Sequence, residues 1–118
     1  HDVCCMPDGS IAVVDWGNYR VQVFDRDGGF VRSVGSYGEG PGQFVNPHSI
    51  AAGGGGEIIV ADHNRDDVQV FSGEGELLQI IGPKGDSKVS WRVQPFRVAT
   101  CGDGRLFVSD GTSVVLLC

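Results

Sequence analysis

The chain has 118 residues, a formal net charge of −6, and 41% hydrophobic residues. A chain of that size ordinarily makes one domain and can bury a core. Its acidic balance disfavours a phosphate-binding surface, since nucleic-acid binders concentrate Lys and Arg, whereas the basic residues here are scattered and often neighbour an acid, as in Asp25-Arg26-Asp27.

From the start of the chain, Val3–Cys5 reads as a short strand, with Met6-Pro7-Asp8-Gly9 as its turn. Ser10–Val14 follows as a β-branched, apolar strand of the kind covered on both faces. Asp15 ends it, a short polar turn reverses the chain, and Arg20–Phe24 returns as the next strand. In that turn an Asp at a strand end accepts hydrogen bonds, Asn18 tolerates a left-handed backbone, and Arg20 can lie back to pair with Asp15. Asp27-Gly28-Gly29 then turns into a strand at Phe30–Val34. The glycine-rich Gly35–Gly42 has no following Lys-Ser/Thr and opens no helix, so it reads as a connection and not as a phosphate cradle.

The plan then recurs. Ser49–Ala51, Glu57–Ala61, Asp67–Ser72 and Glu76–Ile81 read as four more strands, with a mobile glycine turn at Gly53–Gly56. Shifting by about 47 residues lays Ile11–Asp15 on Ile58–Asp62 and Val21–Phe24 on Val68–Phe71. About 48 residues later a third copy runs through Pro95–Ala99, Gly104–Asp110 and Val114–Leu117. Pro83–Ser90 is the connection to it, and Trp91 and Phe96 are expected to pack between copies. No segment has helical periodicity, so the expected fold is all-β: consecutive four-stranded antiparallel units.

These residues resemble the NHL repeat. Gly40-Pro41-Gly42-Gln43-Phe44, Pro47-His48-Ser49-Ile50-Ala51, Ile59-Val60-Ala61-Asp62 and Val68-Gln69-Val70-Phe71 carry the likeness, and Asp15, Asn18 and Arg20 match the repeat's Asp-x-x-Asn-x-Arg signature. The second copy departs from that signature, with Arg65 and Asp67 at the Asn and Arg places. The resemblance implies blades of a β-propeller: one at about 1–35, a second at about 46–82 and a truncated third at about 94–118. Propellers close with roughly 4–8 blades, so the chain reads as an incomplete ring of about two and a half. The remaining blades are expected from the same or another chain. One apolar blade face is then expected to be exposed, favouring association.

Candidate chemistry is sparse. Asp15, Asp62 and Asp110 each end the same strand of their own copy, a regularity that suits a structural clasp better than a catalytic or calcium set. Cys4, Cys5, Cys101 and Cys118 make no CxxC or zinc-ribbon spacing and read as small apolar fillers, leaving the compartment open. His63 is expected to be solvated in an outward turn. His48 begins an inner strand, and His1 holds the same place one copy earlier. The Pro-His-Ser-Ile and His-Asp-Val segments are similar to zinc-binding segments of peptidyl-α-hydroxyglycine α-amidating lyases. That resemblance implies zinc held by His1 and His48, with Asp2 as an active-site acid, although Phe96 stands where a third imidazole would be. No nucleophile can be placed beside a base. The expected function is a non-enzymatic protein- or peptide-binding scaffold module without cofactor, part of a larger protein; the alternative is a metal-dependent lyase propeller.

Overall fold

A computed structural model describes residues 2–65, 67–82, 97–101, 105–109 and 114–117, the last four by their backbone. The first antiparallel sheet holds β1 (Val3–Cys5), β2 (Ile11–Asp15), β3 (Arg20–Phe24) and β4 (Phe30–Val34), in chain order. The second repeats it with β5 (Pro47–Ala52), β6 (Ile58–Asp62), β7 (Asp67–Phe71) and β8 (Leu77–Ile81). A third sheet holds β9 (Arg97–Thr100), β10 (Leu106–Ser109) and β11 (Val114–Leu117). Every strand pairs with its own copy, and registers repeat: Val13 lies opposite Gln22 as Val60 lies opposite Gln69. Even the bulges coincide, at Val23/Phe24 and Val70/Phe71. The architecture is a set of consecutive antiparallel propeller blades that do not close a ring. Among the described residues no helix is long and apolar enough to cross a membrane.

Period-two alternation explains the two apolar layers. Side chains at i and i+2 share a face, so Ala12 and Val14 of β2, with Val21 and Val23 of β3, point at the second sheet. There they meet Ile58, Val60 and Phe71. The opposite face of the second sheet sends Ile59, Ala61 and Val68 against Val98, Leu106 and Val108 of the third. β6 is therefore buried at every position, whereas β2 alternates buried with half-buried residues. The expectation that β2 is covered on both faces holds within this chain only for its counterpart β6. The far face of the first sheet carries the exposed Val3 and Val31.

The segment between the sheets is closed by one aromatic plug. Phe44 is fully buried, its ring centroid 5.8 Å from that of Phe71. Gly35 has φ +93°, and a Cβ there would lie 2.2 Å from the Phe44 ring. The glycine is required twice over, by its left-handed backbone and by the ring passing beside it. A parallel bridge between Tyr37 and Phe44 sets the return of the chain.

The turn between β2 and β3 differs from expectation. It contains a 3-10 turn at Trp16–Asn18, and the left-handed residue is Tyr19 (φ 55°), not Asn18. The side chain of Asn18 is engaged with Asp15, and the reversal falls on the next residue, whose N–H bonds Trp16 O at 3.3 Å.

Because Phe44 joins the first apolar layer to the crossover, its loss should be felt by the whole first layer. Phe44→Ala is expected to destabilise the protein by roughly 3–5 kcal/mol, read by urea denaturation. A cost below about 1 kcal/mol would mean that the site collapses around the cavity.

Candidate functional site

The crossover at residues 35–46 has few sheet partners of its own, so its backbone groups need acceptors and donors from elsewhere. The second sheet supplies them. Asp62, fully buried at the end of β6, accepts the N–H groups of Val45 at 2.7 Å and Asn46 at 2.9 Å. The same carboxylate accepts the N–H groups of Asn64 and Arg65, each at 3.2 Å. Gln69, on β7 and also fully buried, accepts Gly42 N–H at 2.8 Å and donates to Gln43 O at 2.8 Å. Arg65 donates to Gly40 O at 2.7 Å.

Arg65 and Asp67, which occupy the Asn and Arg places of the signature, form an ion pair at 2.9 Å with side chains 4% and 0% exposed. In the first sheet the pairing runs differently. Asp15 accepts Asn18 Nδ2 and Arg20 Nε, each at 3.0 Å, in a turn open to solvent. The Asn18 hydrogen bond, followed by Arg20, holds the Asp15 carboxyl below its ordinary range. The signature is thus departed from in sequence while an ion pair in the turn persists with its carboxylate moved. Asp110 lies outside the described residues.

The first strands β1, β5 and β9 stand side by side, and polar side chains join them. Asp2 Oδ2 accepts Ile50 N–H at 3.0 Å and Ser49 Oγ–H at 3.2 Å, while Oδ1 accepts Val3 N–H at 3.0 Å. Ser49 Oγ in turn accepts Val98 N–H at 3.1 Å. Asp2 and Ser49 fall at the same repeat position, so each blade's side-chain oxygen receives an N–H from the next. At the outer edge Arg32 Nη1 donates to Gly73 O at 2.6 Å. Ser49 and Gln69 carry no local motif in the sequence. Their signal is the repeat alignment itself, which puts polar residues at fixed positions of otherwise apolar strands.

His48 is half-buried at the start of β5, with the His63 ring centroid 6.3 Å from its own. His63, expected to be solvated, is half-buried, and its turn folds back on the crossover, with His63 N–H on Asn46 O at 3.1 Å. Burial, then Arg97, then His63, lowers the pKa of His48 below its ordinary 6.5. Asp2 opposes them, and its distance to Arg97 Nη1 is 3.9 Å. His1 and Phe96 lie outside the described residues. Among the described residues no three His, Cys, Asp or Glu side chains gather as a metal site. Burial, with Asp2 and Cys5 adding, pushes the Cys4 thiol up to about 11, so it stays protonated at neutral pH.

Arg65→Ala removes the guanidinium beside a buried carboxylate and should cost roughly 3–5 kcal/mol. Arg65→Met combined with Asp67→Leu should cost less than the two single changes added. Denaturation of the wild type, the two single variants and the double variant checks this, and a strictly additive result would contradict the coupling. With a folded pKa below 6.5, His48 is protonated more readily in the unfolded chain. Stability should therefore decline as pH falls below about 6.5, and His48→Ala should flatten that slope in thermal melts. Asp15 contributes in a more acidic window, its share being lost as pH falls below 3.8 through its folded pKa.

The profile of a family described as 6-bladed beta-propeller matches residues 2–79. Among curated proteins, RING finger protein nhl-1 of Caenorhabditis elegans is 44% identical over 50 residues, covering 42% of this chain and 5% of that protein. Tripartite motif-containing protein 3 of Rattus norvegicus is 48% identical over 44 residues, covering 37% of this chain and 6% of that protein. The chain thus spans only a small part of these relatives. Among solved structures, Kuenenia stuttgartiensis hydrazine synthase superposes with a TM-score of 0.76 at 16% identity, over 98% of this chain and 31% of that one. A streptogramin B lyase gives 0.71 at 16% identity, over 98% and 36%. At such identities the likeness is one of fold. The chain belongs to the 6-bladed beta-propeller family, with repeats of the NHL type.

Proposed function

We propose that this chain is part of a non-enzymatic propeller scaffold that binds protein or peptide. The observation that carries the reading is where the repeated carboxylates spend their oxygens. Asp62 serves four backbone N–H groups, and Asp15 serves Asn18 and Arg20. Asp2, the acid of the lyase-like alternative, serves Val3, Ser49 and Ile50. A carboxylate whose oxygens are taken up by donors of the fold in this way is poorly placed to meet a substrate proton. On this reading Asp15, Asn18, Arg20 and Asp62 are clasps, with Asp110 in the same role in the third copy. Rigid sheets then present loops on two rims, where binding residues commonly sit. The relatives of NHL type support the same reading.

Affinity purification with protein and nucleic acid both quantified tests it. The expected result is a protein that rebinds the purified chain with fixed stoichiometry; nucleic acid retained without protein overturns the reading. Zinc content tests the alternative. Negligible zinc is expected with His48 intact and in His48→Ala alike, whereas zinc lost on that substitution would establish a metal-dependent propeller.

A further inference from the structure

The chain contains 2 Trp and 2 Tyr, and both tyrosines and one tryptophan stand on a single ledge. The turn between β2 and β3 rests on the crossover at two points: Trp16 Nε1 donates to Asn46 Oδ1, and the Tyr19 ring meets the Tyr37 ring edge-on at 4.7 Å. The backbone beneath is fixed by Phe44 N–H on Ser36 O at 2.7 Å and Gly38 N–H on Phe44 O at 3.0 Å. Yet Trp16 and Tyr37 remain 53% and 65% exposed. Rings anchored at one edge and open on a face lose little freedom when a partner covers them.

Tyr19 packs against the first apolar layer, but the repeat does not call for an aromatic at the places of Trp16 and Tyr37. In the second copy the place of Trp16 is taken by His63, and the repeat alignment puts Lys84 at the place of Tyr37. The ledge therefore belongs to the first copy alone. Its charge points to a partner. Glu39 is exposed two residues beyond Tyr37, Arg20 is already paired with Asp15, and the chain as a whole carries −6. An electron-rich ring face with an exposed carboxylate two residues along the chain attracts a guanidinium or ammonium group and repels phosphate.

We propose that Trp16, Tyr19 and Tyr37 form the docking ledge of this module, and that its partner lays an arginine- or lysine-bearing peptide segment across it. The inference rests on the protein-binding reading and names the surface and the charge class of the partner.

A peptide array of mixed composition, probed with the chain and two variants, tests this. Trp16→Gln with Tyr37→Ser removes the exposed rings. Glu39→Lys reverses the neighbouring charge without touching them, which keeps the test decisive if the first variant fails to fold. Binding should concentrate in Arg- and Lys-bearing peptides, weaken about tenfold in the ring variant and severalfold in the charge variant, and fall with added salt. Binding undiminished in both variants overturns the ledge while leaving the scaffold reading in place. Binding of oligouridylate or an oligosaccharide in preference to basic peptides overturns it as well. If no peptide binds at millimolar concentration, the ledge proposal falls, while the scaffold reading stands or falls with the affinity purification.

Discussion

The structure depends on a buried carboxylate at the end of a strand, whose hydrogen bonds reach outside the sheet to the crossover. Asp62 sits fully buried where β6 ends, and two of its four N–H donors, Val45 and Asn46, come from the chain that has just crossed from the previous sheet. Burying a charge is costly unless hydrogen bonds replace water, and here backbone N–H groups that would otherwise be orphaned do so. One side chain thus resolves two problems: its own desolvation and that of the crossover. Gln69 and Arg65 extend the arrangement to Gly42, Gln43 and Gly40. Phe44 can then stay against Phe71, because the polar atoms on either side of it are satisfied.

The sheets are joined at three radii. Near the first strands, Asp2 and Ser49 each take an N–H from the following blade. In the middle lie the apolar layers and the Asp62 strap, and at the outer edge Arg32 reaches Gly73 O. Apolar layers alone tolerate sliding, since the hydrophobic effect is not directional. Hydrogen bonds at separate radii fix the angle between neighbouring blades, and with it the relative positions of the loops that a partner would meet.

Much of this was legible in the sequence. Period-two alternation, turn glycines and the repeat located the strands to within a residue or two, because each is a local signal. The Asp15 pairing with Arg20 was legible for the same reason, both lying in one turn. What could not be read was non-local or compensated. Asp62 bonds residues 16 and 17 positions upstream, which no hairpin pattern encodes. Arg65 and Asp67 look like a lost signature, yet together they rebuild an ion pair. His63 looked solvated because its turn is polar, but that turn is held by Asn46 of the crossover. Asn18 was the natural candidate for a left-handed backbone, but its amide is committed to Asp15 and Tyr19 takes the strain.

Exchange of backbone hydrogens reads the strap directly, since an amide bonded to a buried carboxylate opens only when the crossover lifts away. The account predicts that Val45 and Asn46 amides exchange as slowly as those of β6 and β7, and that Asp62→Asn selectively accelerates them together with Gly42. Exchange at Val45 and Asn46 as fast as in an exposed hairpin turn such as Gly28, unchanged by the substitution, would contradict it.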